Sequence, residues 1–528
     1  MPHKVTRLER IKSRQRRHQQ TCKTKPSLAL ESLENRVLLD VAGWWDEVGW
    51  RSGSGGGVSW DRTDEPGESQ MVLTSDGDPV VFWIEGAVNE YVDQPVPYYW
   101  NMLGNIYARQ YGGEDLGWWD LTSGSGDSQP IAFGSQLAAA AGPDGQIVLV
   151  YNSSSTAGEI SAVLWDGSDW QNLGSVSGDD DLSNSNPSVA ISGAGDIYVS
   201  YTAINAEQQE IIVKKFGYSY EEVQVGPPQQ IVQTWSELVD PEIGNFGVDN
   251  ITTGGVSNDL AKSFDSAIAV DNQGKPVVVW TSQKAEGNYE IYVRRWDGRD
   301  SDEMGYESAS DVDGDGLSGI SRDTGVSIQP DIAIADNGDL IVTWVNWADW
   351  KNYDNPATGG GKAGVFVKTL QSNTWVAYET GVSDTGAGIA PSLGWYYSPT
   401  IITDADSNPI ITWQGFGAGE RYDIDRDDSE GTSVHTPNLP GNPDDEAPIM
   451  AAYVSRYQNS QFGLLEYSLN TQYSDRATSE DYHIWMPDVL LDAQGNILLS
   501  YRWYDGLYDA GHHDSEIFVQ QWNGSDWV

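Results

Sequence analysis

One cysteine, Cys22, stands in 528 residues, so no disulfide framework holds this chain together. No run of 18 consecutive apolar residues occurs, which excludes a membrane-spanning helix of ordinary length. Basic residues are scarce: 30 Lys and Arg face 78 Asp and Glu, a formal net charge of −48. A body so acidic repels other polyanions, and neither nucleic acid nor an anionic membrane is expected as its partner. Familiar catalytic signatures are missing too. There is no G-x-S-x-G nucleophile turn, no H-E-x-x-H and no phosphate-cradling glycine loop.

What is abundant points to structure. The 23 Trp and 26 Tyr are too many apolar rings for a solvated chain, and 57 Gly imply many turns. The charge is also unevenly placed. Residues 1–40 hold 10 basic and 4 acidic residues, whereas 41–528 hold 20 and 74, a balance of −54. The opening segment therefore reads as a basic leader. A secretory signal needs 7–15 apolar residues after its basic start. Ser27 to Val41 offers only an amphipathic stretch, interrupted by Glu31, Glu34, Arg36 and Asp40. Within it, Leu33-Glu34-Asn35-Arg36-Val37-Leu38-Leu39 resembles the LEPR-XLL motif of large bacterial exported and surface proteins, with Asn35 where that motif has proline. The resemblance implies export or surface sorting and says nothing of activity.

The body is a repeat. Ser266 to Trp280 has relatives at Pro187–Tyr201, Pro330–Trp344, Pro399–Trp413 and Pro487–Tyr501, with weaker copies at Ser69–Trp83 and Leu137–Tyr151. Each is an apolar strand, a turn rich in Gly, Asp and Asn, and a second apolar strand ending on an aromatic. A glycine precedes that aromatic by six residues in six copies; Ser407 replaces it in the other. Such turns need positive φ, which glycine supplies at no steric cost. A third strand follows in every copy, for example Ile291–Trp296, and several lead through Asp-Gly or Asn-Gly toward a fourth. Seven four-stranded units in succession predict an all-β seven-bladed β-propeller spanning 41–528. The repeat also resembles the propeller repeats of bacterial secreted and cell-surface proteins. Copies recur about every 70 residues, longer than a minimal blade of roughly 40–50, so insertions are expected. The repeated aromatics are expected to pack between adjacent sheets.

The turn joining strands one and two is short, whereas the connections from two to three and from blade to blade are long. In a meander the long sets share one face, and insertions of that kind carry function. Trp100, Trp347, Trp350, Trp395, Tyr422 and Trp503 fall on or beside these connections and are the candidate ligand-binding residues. The alternative is that the loops fold over and bury their own rings. Asp311-Val-Asp313-Gly-Asp315-Gly316 alternates carboxylates as a calcium loop does, though the twelfth position is Arg322 rather than glutamate. Asp311, Asp313 and Asp315 are thus calcium-ligand candidates, or else a solvated acidic loop.

The expected function is an exported or cell-surface, non-catalytic propeller that binds carbohydrate or protein on its long-loop face. Two alternatives stand beside it: a glycan-cleaving hydrolase or lyase of sialidase-like type, and a structural surface module. Sialidase S-x-D-x-G-x-x-W boxes are not reproduced, since Ser75-Asp76-Gly77-Asp78 is spaced differently. Finally, Gly43-Trp44-Trp45-Asp46 repeats Gly117-Trp118-Trp119-Asp120, so residues 43–48 are expected to complete the last blade.

Overall fold

The computed structural model describes residues 58–59, 66–91, 100–112, 117–121, 130–153, 158–178, 182–204, 209–221, 230–240, 244–246, 256–257, 262–285, 288–296, 301–303, 319–321, 326–347, 362–372, 374–416, 451–465, 483–504, 515–524 and 527. The chain divides into two compact units, Met1–Gly43 and Trp44–Val528. The first, with the basic leader and its motif, lies outside the described residues, as does the 43–48 segment.

Every described element is a strand. The first group is β1 (Pro66–Leu73), β2 (Pro79–Tyr91), β3 (Trp100–Tyr111) and β4 (Trp118–Asp120); the second is β5 (Ala132–Ala141), β6 (Ile147–Asn152), β7 (Ile160–Trp165) and β8 (Trp170–Ser175). The third comprises β9 (Ser183–Ile191), β10 (Ile197–Ile204), β11 (Gln209–Glu221) and β12 (Gln230–Asp240), with β13 (Gly244–Phe246) on its edge. The fourth is β14 (Lys262–Val270), β15 (Pro276–Ala285), β16 (Asn288–Trp296) and β17 (Ser301–Glu303); the fifth is β18 (Val326–Ile334), β19 (Leu340–Trp347), β20 (Ala363–Gln371) and β21 (Thr374–Ala377). The sixth is β22 (Trp395–Thr403), β23 (Pro409–Phe416), β24 (Ala451–Gln458) and β25 (Gln461–Leu464), and the last is β26 (His483–Leu491), β27 (Ile497–Tyr504) and β28 (Ser515–Gln521). Within each group consecutive strands pair antiparallel. Hydrogen bonds between groups are brief, such as the single pairs Gln209↔Lys262 and Tyr289↔Val326.

The hairpin between strands one and two shows why the repeat folds as it does. Asp271 accepts the N–H groups of Gln273 and Lys275 on Oδ1, and Gly274 closes the turn at φ +79. Asp404 and Asp492 act in the same way. Ser407, where glycine is replaced, also adopts positive φ, at +65.

The groups are held by packing. The repeated aromatics Trp83, Tyr151, Tyr201, Trp280, Trp344, Trp413 and Tyr501 are all buried, as the repeat predicts. Five face an aromatic on the paired third strand, as Trp413 faces Tyr453 with centroids 5.5 Å apart. Each then joins a core shared with the neighbouring group: Trp280 with Val213 of β11, Trp344 with Val279 of β15, Tyr501 with Val454 of β24. The last and first groups are joined likewise, because Trp83, Met71 and Val81 share a core with Leu498, Ile517 and Val519. The first strands pack on one another in order, β1 on β5, β5 on β9 and so on, and β26 packs on β1. Among the described residues no sheet closes on itself by strand pairing.

Candidate ligand site at the start of the first strands

Every first strand carries a register shift near its start, at Pro66/Ser69 in β1, Ser135/Ala138 in β5 and Tyr397/Thr400 in β22, for example. At the bulge stands a non-glycine residue in the left-handed region in six of the seven: Gln136 (φ 53), Asn186 (50), Asp265 (52), Gln329 (54), Ser398 (48) and Met486 (50). Glu68 holds the matching position in β1. Such backbone costs on the order of 1–3 kcal/mol per residue and persists only where the surroundings enforce it.

What enforces it is a set of bonds running from group to group. Asn186 donates its N–H to Gln136 Oε1 (2.9 Å) and its Nδ2 to Asp265 Oδ1 (2.7 Å). Ser398 donates its N–H to Gln329 Oε1 (3.0 Å). Two residues further in, Ile401 donates to Asp331 Oδ2 (2.8 Å), Ile268 to Ser188 Oγ (3.2 Å) and Met71 to Asp488 Oδ2 (2.7 Å). The last of these joins the final group to the first by the bond used between internal neighbours.

Since the first strands are each other's neighbours, these side chains converge from successive groups on one shared region. Three of them are carboxyls held well above the ordinary carboxylate range. Burial raises Glu68 to about 7, against the opposing N–H groups of Leu137 and Gln136. Burial raises Asp331 to about 6 and Asp488 to about 7, and the Asp331 charge pushes Asp488 the same way. Desolvation thus outweighs two backbone hydrogen bonds at each group.

Above this polar set the first strands begin, on the side of the long connections. Phe133 is 53% exposed there, three residues before Gln136. Phe264, Trp395, Tyr397 and Trp485 are half-buried in corresponding stretches of β14, β22 and β26. Aromatic rings in the same stretches as convergent amides and carboxyls are the usual make-up of a site for an uncharged polar ligand.

The sequence-predicted residues fare unevenly. Trp347 and Trp395 are brought together, their rings T-shaped at 5.5 Å. Trp347 itself is not a surface platform: it is fully buried, packed under Trp395 and Tyr397, because the position that ends β19 faces the core. Trp100 lies in β3 opposite Tyr91, and Trp503 in β27 opposite Ile484 and Glu516. Trp350, Tyr422 and the calcium candidates Asp311, Asp313 and Asp315 lie outside the described residues. Missed by the sequence reading were Phe133, Glu68, Gln136, Asp265, Gln329, Asp331 and Asp488. The signal was present, since the bulge residue immediately precedes the first residue of every repeat copy, but the repeat frame began one position late.

No family model matches the chain, and no curated protein does either. Among solved structures, a polysaccharide lyase, PL25 ulvan lyase, is 13% identical over 68% of this chain and 78% of its own, with a TM-score of 0.39. The Trypanosoma rangeli sialidase is 11% identical over 76% and 57%, TM-score 0.39. The GH93 α-L-arabinofuranosidase of Fusarium graminearum is 10% identical over 73% and 92%, TM-score 0.35. At TM-scores below 0.5 these likenesses decide neither fold nor chemistry, which rest on the chain's own residues.

Proposed function

We propose that the chain is an exported, closed seven-bladed β-propeller that binds a carbohydrate where the first strands begin. The ring of seven is supported by seven antiparallel groups in succession and by the core and hydrogen bond that join the last to the first. Export is supported by the basic leader and its LEPR-XLL-like motif. The ligand reading rests on one observation: left-handed bulge residues gather amide and carboxyl groups near the start of the first strands, and the exposed Phe133 stands three residues before one of them, Gln136, in β5. The acidic body favours neutral or cationic sugars over polyanions. A glycan panel followed by calorimetry tests it. Phe133→Ala is expected to weaken the best ligand about tenfold or more, while the turn-side pair Asn272→Ala/Asn337→Ala leaves it unchanged. Loss of binding in the turn-side variant alone sinks the assignment.

A second reading, glycan cleavage, is favoured by Glu68 and Asp488. A carboxyl poised near 7 is protonated often enough at neutral pH to act as a general acid. Incubation with the bound glycan, read for new reducing ends and for unsaturated products, distinguishes the two. Turnover that Glu68→Gln or Asp488→Asn abolishes establishes the enzyme; binding without turnover leaves the lectin-like reading.

Calcium at Asp311, Asp313 and Asp315 is a separate proposal. Millimolar calcium is expected to raise the wild-type melting temperature relative to chelator, and Asp313→Ala to lose that rise. An equal rise in both proteins assigns it to other carboxylates.

A further inference from the structure

A four-part contact recurs at the start of the third strands. In the third group, Val256 donates its N–H to the Ile211 carbonyl (2.7 Å), and Ile211 returns its N–H to Ser257 Oγ (3.0 Å). The Ser257 hydroxyl donates to Glu210, and Arg294 of the next group donates to the Val256 carbonyl (2.6 Å). In the fourth group Ile320 and Ser321 repeat each part on Ile291 (2.7 and 3.1 Å) and Glu290 (3.4 Å), and Lys368 of the next group takes the Ile320 carbonyl (3.0 Å). Val176 and Ser177 make the two backbone contacts on Ile160 in the second group. In each case the dipeptide follows its own group in the chain.

The last group holds the same dipeptide, but from the other end of the sequence. Val58 donates its N–H to the Ile517 carbonyl (2.6 Å), and Ile517 returns its N–H to Ser59 Oγ (3.1 Å). The Ser59 hydroxyl donates to Glu516 Oε2 (2.5 Å), and Arg109 of the first group donates to the Val58 carbonyl. Val58 is buried beside Met71, Trp83, Leu498, Ile517 and Val519.

We propose that Glu516 and Ile517 of β28, together with Arg109 of β3, form a recognition site for an extended apolar–serine dipeptide, filled within the chain by Val58–Ser59 as the latch that closes the ring. The chemistry is selective. A β-branched residue fills the apolar slot. A hydroxyl both accepts the Ile517 N–H and donates to the Glu516 carboxylate, so serine or threonine completes the contact, whereas alanine, as in Ile131–Ala132 on Ile106, keeps only the backbone bond. Processing that removes the basic leader must then cut before Val58, because a cut after Ser59 empties the site. The inference rests on the ring reading and on no ligand.

Hydrogen exchange on the full chain tests it, by comparing Ser59→Ala, Ser59→Thr, Arg109→Met and Ser321→Ala with wild type. Ser59→Ala and Arg109→Met are expected to speed exchange of the Ile517 and Met71 amides about tenfold, the loss of one buried hydrogen bond. Ser59→Thr, which keeps the hydroxyl, stays near wild type, and Ser321→Ala speeds Ile291 while sparing Ile517 and Met71. Unchanged Ile517 exchange in Ser59→Ala overturns the latch. Rapid Met71 exchange already in wild type overturns the ring reading instead.

Discussion

Asp331 and Asp488 each spend both carboxylate oxygens on backbone N–H groups, one on their own strand and one on the next group. Their folded pKa values, about 6 and about 7, lie above the usual unfolded value near 4. Both therefore bind protons more tightly when folded. The stability this provides is fully present below about pH 4 and is lost as pH rises through 6 and 7. The melting temperature of wild type should accordingly fall between about pH 5 and pH 7.5. Self-repulsion of the acidic body acts in the same direction, so the decisive comparison is with Asp331→Asn and Asp488→Asn, whose midpoints should depend less steeply on pH. Parallel slopes in all three proteins would assign the whole effect to general repulsion. Ser407 offers a cleaner substitution. It holds φ +65 on an exposed turn, so Ser407→Gly should stabilise by about 1 kcal/mol, less the weak 3.3 Å bond from the Asn337 N–H to its hydroxyl. Thermal or urea unfolding measures the balance, and a loss of stability would show that this hydroxyl outweighs the backbone strain.

At the level of strands, the sequence carried most of what the structure contains. The paired first and second strands, the third strands from Ile106, Ile160, Ile211, Ile291, Val365, Ala452 and Ile517, and the buried aromatics all follow from period-two apolar patterning and turn chemistry. Patterning of that kind is local. The bulges were marked in the sequence only by position, immediately before each repeat copy, because their left-handed residues (Gln, Asn, Asp, Ser and Met) follow no single residue type; neighbouring groups impose the conformation. Trp347 was misplaced for a related reason: whether a ring at a strand end faces solvent depends on which strand packs beside it, here β22. Two substitutions separate the roles. Trp413→Ala removes a fully buried ring stacked on Tyr453 and should cost about 3–5 kcal/mol. Phe133→Ala, at an exposed position, should change stability by less than about 0.5 kcal/mol while weakening ligand. A large stability loss at Phe133 would make it a core residue rather than a platform.

For the whole molecule, truncation is the direct measurement. Removing residues 1–40 should leave the melting temperature nearly unchanged. Removing 1–60 takes away Val58 and Ser59 with their bonds to Ile517 and Glu516, and should lower it. Equal midpoints for the two proteins would show that the chain start adds nothing to the body's stability. The same contact also orders events in time. Ser59 and Glu516 are separated by 457 positions. At roughly 5–20 residues per second, the ribosome takes on the order of half a minute to a minute and a half to make that stretch. Throughout that interval the earlier strands emerge while their last neighbour does not yet exist, and the apolar side of β1 and β2 that ends against Leu498 and Val519 has nothing to cover it. A nascent chain in this condition is a natural client for a holding chaperone, and its exposure ends only with the arrival of the final strand.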